Sequence, residues 1–205
     1  MSRWEPDACG RLTKAAMELF QERGYPRTTV ADIAARAGLT ERTFFRYFND
    51  KREVLFSGSQ ELEQLMVDAV AAAPAGSAPL QVVAGAVEAA GARLQELRDP
   101  SAVRARHALV TAHAELRERE LIKMAALAAA ITRGLHARGV PEPIASIAAE
   151  AGITIFKVGF ERWVSQDRQR DFVSHIRDAL ATLKTVTGEA GKAAPRRKKT
   201  RAPAR

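Results

Sequence analysis

Apolar positions recur along the chain every three or four residues, and no stretch alternates for long enough to predict a strand. The first stripe is Leu12, Ala15, Ala16, Leu19 and Phe20. It predicts a helix that stops at Gly24, a residue suited to the left-handed backbone just past a helix C-terminus. Thr29 with Asp32 three positions on makes a capping box and opens a short second helix, with Val30, Ile33, Ala34 and Ala37 facing inward. Gly38 turns the chain, and Thr40 caps a third helix from Glu41 to about Phe48. Asp50 with Glu53 reads as the next cap and box. With Lys51 at its first position, this cap predicts one unbroken helix to about Ala72, bearing Leu62, Leu65, Met66 and Ala69 on one side.

After a loop rich in Pro, Gly and Ser at residues 73–79, the helices lengthen. One carries Leu80, Val83, Val87, Ala90, Leu94 and Leu97 and ends at Asp99-Pro100. The next runs from near Ser101 to about His113. A third carries Leu116, Ile122, Leu127 and Ile131 and stops at Gly139-Val140-Pro141. The last two span about Glu142 to Trp163 and about Gln169 to Thr185. Their stripes are Ile144, Ile147, Ala151, Ile155 and Val158 on one, and Phe172, Ile176, Leu180 and Leu183 on the other. Periodicity fits two uses of these stripes equally: closing the chain's own core, or forming half of a four-helix bundle between two copies. The second use makes Ile147, Ala151, Ile155, Phe172, Ile176 and Leu180 the candidate dimer interface. The expected fold is all-α, with a three-helix unit at residues 5–56, a larger helical body at 57–187, and a tail at 188–205 too poor in apolar residues to fold by itself.

The turn between the second and third helices is a few residues long and built on one glycine, which is the spacing of a helix-turn-helix. On the third helix Phe44 and Phe48 sit one turn apart and point inward, so Arg42 and Arg46 project on the far side with Thr43 beside them. An apolar inner edge and an Arg/Arg/Thr outer edge suit the major groove of double-stranded DNA. Lys51, beside free backbone N–H groups, suits a phosphate.

Charge changes this picture little. The net charge of +8 comes mostly from the tail, where Lys192, Arg196, Arg197, Lys198, Lys199, Arg201 and Arg205 stand without an acid after Glu189. Residues 1–56 hold ten Lys and Arg against eight Asp and Glu, and residues 57–191 hold fifteen against sixteen. The DNA reading therefore rests on side-chain direction, not on bulk basicity.

The run Gly24-Tyr25, Thr28-Thr29-Val30, Ile33-Ala34, Ala37-Gly38-Leu39-Thr40, Thr43-Phe44-Phe45-Arg46-Tyr47-Phe48 and Lys51 resembles the N-terminal signature of the TetR family of transcriptional regulators, over about residues 8–56. The resemblance implies an all-helical protein of about nine helices that works as a homodimer, reads operator DNA with its first three helices and is released by a small-molecule inducer. It implies base and phosphate contacts at Thr29, Thr40, Arg42, Thr43, Phe45, Arg46, Tyr47 and Lys51. Phe45 departs from the pattern, because the family often has a tyrosine there whose hydroxyl bonds a phosphate. Phe45 is left to pack on a sugar or a thymine methyl.

The resemblance also implies an inducer pocket within residues 57–187. The region has four aromatics, Phe156, Phe160, Trp163 and Phe172, and no evident buried acid, which favours an apolar or weakly polar ligand. Arg106 and His113 share an inward stripe with Val103, Leu109 and Val110, and with Thr111, Thr154 and Phe156 they are the candidate lining. The competing reading has Arg106 and His113 satisfying backbone groups between the two units.

An enzyme is not expected. The four histidines show no metal-ligand spacing, there is no phosphate-cradling Gly-rich loop, and no cofactor is implied. With one cysteine, Cys9, there is no internal disulfide. Cys9 reads as a small core residue or, less simply, a redox sensor. The remaining alternative is an architectural DNA-binding protein without a ligand. No apolar run nears the roughly 18 residues that cross a bilayer, and no secretory signal opens the chain, so a cytoplasmic protein is expected.

Overall fold

The computed structural model describes residues 7–97, 99–165 and 170–188. The part of the tail from residue 189 on, with the disorder expected of it, lies outside them. Among the described residues there are nine helices and no strand: α1 Ala8–Arg23, α2 Val30–Arg36, α3 Glu41–Tyr47, α4 Ser59–Ala72, α5 Pro79–Leu97, α6 Pro100–Ala112, α7 Ala114–Ala137, α8 Ile144–Ser165 and α9 Phe172–Val186. None of these helices is long and apolar enough to cross a membrane.

The short helices start where their caps predict. The Thr29 hydroxyl accepts the Asp32 N–H at 3.1 Å while the Asp32 carboxylate accepts the Thr29 N–H at 2.9 Å, so both halves of the box are made. Thr40 accepts the Thr43 N–H at 3.2 Å. Gly24 does end α1, but at φ 83° and ψ 149°, an extended positive-φ conformation and not the left-handed helical one. A Cβ is strained there all the same.

The expected helix from Lys51 to Ala72 is broken. Asp50 accepts the N–H groups of Arg52 at 2.7 Å and Glu53 at 3.3 Å, yet it caps a single 3-10 turn, Glu53–Phe56. Gly58, at φ 87°, then redirects the chain, and α4 starts at Ser59. The cause lies in Val54, Leu55 and Phe56, which are all buried. At 120° per residue the 3-10 turn points these three side chains in different directions, and all are buried because the core that Val110 of α6 and Leu116 of α7 extend encloses the turn.

Two apolar cores result. The first gathers Leu12, Leu19, Phe20, Tyr25, Ile33, Phe44, Phe48 and the 3-10 turn, and it extends to Val110 of α6 and Leu116 of α7. The second joins Met66 and Val70 of α4, Val83 and Val87 of α5, Leu127 and Ile131 of α7, Ile155 and Phe156 of α8, and Phe172 and Ile176 of α9. Helix α8 is its centre, packed on α5, α7 and α9. Gly159 makes the α8–α9 approach possible: a Cβ there would stand 3.1 Å from the backbone nitrogen and Cα of Ile176. The sequence stripes overreach at four points, since Leu97 and Ile144 are each 50% exposed, Ile122 51% and Ile147 65%.

The two cores meet at a polar seam. The Arg106 Nε donates to the Leu55 carbonyl at 2.7 Å, its guanidinium lies 5.0 Å from the Phe56 ring centroid, and it pairs with Glu120 at 3.2 Å. Glu53 turns away from its expected box role and takes Arg119 and, at 3.2 Å, Lys123 from α7. Burial pushes the Glu53 carboxyl up, but hydrogen bonds and charge from Arg119 and Lys123 outweigh it and hold the group below the usual range. A carboxylate lowered in this way stabilises the fold above its unfolded pKa and loses that contribution as pH falls through the folded one. Glu53→Gln is therefore expected to cost about 1.5–3 kcal/mol at neutral pH. The difference from wild type in denaturant melts should shrink in acid; a constant difference down to the acid transition would refute it.

Candidate nucleic-acid interface

Helix α3 presents its two edges as the sequence predicts. Phe44 is fully buried and Phe48 nearly so, while Arg42 and Arg46 are exposed. Arg42 has no protein partner among the described residues. The Arg46 guanidinium lies 4.9 Å from the Tyr47 ring centroid and donates to the Tyr47 hydroxyl at 3.2 Å, so the two side chains form one outward surface. Tyr47 is 44% exposed, and Phe45, 53% exposed, leans its ring edge against Phe44 at 5.5 Å. That contact fixes the ring of Phe45 without need of the hydroxyl it lacks. The Thr40 and Thr43 hydroxyls lie 3.0 Å apart at the start of the helix, leaving one hydroxyl hydrogen free to point outward. The chemistry of this surface is donation: two guanidiniums, a phenol and a threonine pair, with two aromatic faces for apolar contact.

Two of the candidate contacts are differently placed. Thr29 is exposed, but its hydroxyl donates to the Asp32 carboxylate at 2.6 Å, and this bond together with the Thr29 N–H keeps that carboxyl lowered. Lys51 turns inward. Its ammonium donates to the carbonyls of Tyr25 at 2.9 Å and Thr28 at 3.1 Å and stands 4.4 Å from the Tyr25 ring centroid. It staples the loop between α1 and α2, the loop that delivers the Thr29 cap.

Periodicity gave no sign of the residues that hold this surface in place. Arg11 of α1 donates from Nε to the Ala37 carbonyl at 3.1 Å, closing the C-terminal end of α2 just before the turn. Arg36 pairs with Glu22 at 2.8 Å across the same two helices. Tyr25 is the hub, with Phe20 at 5.1 Å, His113 at 5.0 Å and the Lys51 ammonium over its ring. Burial, with Glu115 adding to it, pushes the Tyr25 phenol well above its ordinary range, so it stays neutral. The Thr-x-x-Asp box and the apolar spacing reveal caps and cores; they carry no trace of which carbonyl a long basic side chain will reach.

The candidate pocket residues are not brought together. Arg106 and His113 sit at the seam: Arg106 satisfies the Leu55 carbonyl, which is the competing role weighed for it, whereas His113 packs against the Tyr25 ring. Thr111 and Thr154 are exposed and return their hydroxyls to carbonyls one turn back, at 2.8 Å to His107 and 3.0 Å to Glu150. Phe156 is buried among Phe160 and Phe172, in a cluster that Trp163 and His107 complete.

The candidate interface residues divide in the same way. Ile155, Phe172 and Ile176 lie in the chain's own core, 1% exposed or less, so they have no surface to offer a second copy. Leu180 is half-buried against that core, Ala151 is half-buried, and Ile147 is 65% exposed. The long stripes of α8 and α9 thus serve the monomer first, because the Gly159 contact draws the two helices together inside one chain.

Comparison with known proteins agrees with this geometry. Residues 12–57 match the family described as bacterial regulatory proteins, tetR family. The chain is 37% identical over 86 residues to the HTH-type transcriptional regulator TcmR of Streptomyces glaucescens, a match covering 42% of this chain and only 38% of that protein. The fold is shared with solved structures along nearly its whole length. One is FadR of Thermus thermophilus, a TetR-family transcriptional repressor in complex with lauroyl-CoA, at 23% identity, 96% and 99% coverage of this chain and that one, and a TM-score of 0.53. Another is FadR of Bacillus subtilis in complex with stearoyl-CoA, at 21% identity, 85% and 96% coverage and a TM-score of 0.55. A third is SmeT, the repressor of the Stenotrophomonas maltophilia multidrug efflux pump SmeDEF, at 18% identity, 91% and 97% coverage and a TM-score of 0.54. The helix-turn-helix with its donor edge outward, at the head of nine helices among the described residues, is the segment that residues 12–57 share with the tetR family of bacterial regulatory proteins.

Proposed function

We propose that the chain is a sequence-specific DNA-binding regulator of transcription, a repressor that holds a palindromic operator as a homodimer and leaves it when a small molecule binds. The observation that carries this reading is the outer edge of α3, where Arg42, Arg46 and Tyr47 stand exposed above a rigid Phe44–Phe48 inner edge. One such helix reads too few base pairs for a specific site, and a two-fold pair doubles the number. Such a regulator acts on chromosomal DNA in the cytoplasm and carries out no reaction. Thr40, Arg42, Thr43, Phe45, Arg46 and Tyr47 meet the DNA directly, and Lys51 supports them from behind.

The seam supports the switch. Arg106, His113, Arg119 and Lys123 all touch the N-terminal unit, and all belong to α6, α7 or the corner between them. A ligand that favours another setting of that corner shifts the spacing of the two recognition helices and lowers operator affinity by its own preference between the two settings. The interior of the helical body holds one buried polar side chain among the described residues, His175, which fits an apolar or weakly polar inducer.

Selection of bound duplexes from a random pool tests the reading. The expected outcome is an inverted repeat whose half-site centres lie about 10 base pairs, or a multiple of that, apart. A pool that stays random, with binding that only follows salt, would make the protein an architectural one.

A further inference from the structure

Helix α9 carries the chain away from the DNA-reading head. Arg93 of α5 pairs at 3.7 Å with Glu61 in the first turn of α4, beside the seam, and the N–H of Phe172 donates to Gln95 of α5 at 2.7 Å. Helix α9 therefore starts level with the seam. Further along, Arg177 meets Glu88, so α9 runs antiparallel to α5, towards the end where α4 hands over to α5. Arg138, just past α7, reaches the same pole and donates to the carbonyls of Ala71 and Ala73. The 15 residues of α9, at about 1.5 Å each, put Gly188 about 22 Å from the seam. The outer edge of α3 lies across the head's own core, about 20 Å further in the other direction, or two helix diameters.

The cations of the tail follow that exit. Lys192, Arg196, Arg197, Lys198, Lys199, Arg201 and Arg205 lie outside the described residues, and Arg196 to Lys199 come eight to eleven residues after Gly188. Eleven residues drawn out straight span at most about 40 Å, so this cluster meets a duplex under α3 only at full stretch along the body. Holding a chain at full stretch costs about 1–2 kcal/mol for each residue fixed. The pole itself offers little of opposite charge: Glu142 is taken by His136 and Ser146, and Arg133 and Lys184 add positive charge.

We propose, on the DNA-binding reading given above, that this tail grips a second duplex, separate from the one the head reads, so that the protein bridges two segments of DNA. The residues between the cations choose the partner. Residues 188–205 otherwise hold Ala, Pro, Gly, Thr200 and Glu189. With no aromatic ring there is nothing to stack on unpaired bases, and with no large apolar group there is nothing to enter a bilayer. Cations alone neutralise the regular phosphate rows of a duplex and read no sequence. A head seated on DNA also brings the partner near, since neighbouring stretches of the same molecule stand at high effective concentration.

Capture of one duplex by another tests the proposal. An operator duplex from the selection described above is fixed to a surface, loaded with the full chain and washed, and a labelled duplex of unrelated sequence is passed over it. The wild type should capture the second duplex. A full-length variant carrying Arg196→Gln, Arg197→Gln, Lys198→Gln and Lys199→Gln should capture it at least about tenfold more weakly, with a log–log salt slope shallower by about 3–4 for each tail engaged. The same variant should hold the operator duplex within about threefold of wild type. Undiminished capture by the variant would overturn the proposal by placing the second contact on the body. No capture by the wild type, with operator affinity and salt slope falling in the variant, would mean that tail and head share one duplex. Retention on vesicles of phosphatidylserine and phosphatidylcholine without capture of DNA would give the tail to a membrane surface. A selection that returns no operator would overturn the sequence-specific reading alone, and capture between two unrelated duplexes then reads the tail.

Discussion

Arg42→Ala and Arg46→Ala are each expected to weaken operator binding by about 1–3 kcal/mol, and the pair together to reduce it to the level of random DNA. Both guanidiniums project from the edge of α3 opposite Phe44, and neither is engaged in an ion pair that DNA would have to break. The two losses should differ in kind. Arg42 is free to reach a base or a phosphate, whereas Arg46 is held on Tyr47, so its variant also releases that ring. The arginine that reaches a guanine will lose discrimination at one position of the site, and a phosphate contact will weaken all sequences alike. Lys51→Ala is the control. With its ammonium on the carbonyls of Tyr25 and Thr28, its loss should lower the melting temperature and leave the salt dependence of binding unchanged. Wild-type affinity and base preference in both arginine variants, measured by titrated gel shift, would remove α3 from the groove.

Ile155→Asp is expected to unfold the helical body, not to yield a soluble monomer. Ile155 is 1% exposed at the centre of the core that α5, α8 and α9 build. A carboxylate there has no partner, and an uncompensated buried charge costs about 3–5 kcal/mol, a large part of the roughly 5–15 kcal/mol that holds a domain together. Circular dichroism should show loss of the cooperative melt, and the protein should collect in the insoluble fraction. A well-folded Ile155→Asp chain of half the wild-type mass would instead put Ile155 on the surface between subunits.

Where chemistry is local, the sequence was easy to read. A threonine followed three residues later by an acid specifies its own helix start, and the Thr29 and Thr40 caps lie where that rule puts them. The inner and outer edges of α3 follow from 100° per residue and two phenylalanines. The Asp50 cap was equally visible, but its consequence was not, because whether Val54, Leu55 and Phe56 continue a helix depends on a core that α6 and α7 help to build. The stripe of α8 misled for a similar reason. Ile147 and Ile155 lie on one apolar arc, and only the approach of Gly159 to Ile176 decides that one faces solvent and the other the interior. The candidate pocket residues stand apart because Arg106 and His113, polar groups on an inward stripe, are turned towards the seam.

The break at Gly58 bears on how such a protein could be recombined. With one continuous helix from Lys51 to Ala72, any N-terminal unit could be grafted onto any helical body by joining them in register. With a 3-10 turn and a glycine between them, the covalent joint carries little orientation, and the head is oriented by what grips it from the side. A chimera that keeps only residues 1–57 leaves behind the arginines, the lysine and the histidine that grip Glu53, Leu55 and Tyr25. A transplantable head would have to bring the α6–α7 corner with it, or be rewritten at those three positions to suit its new host.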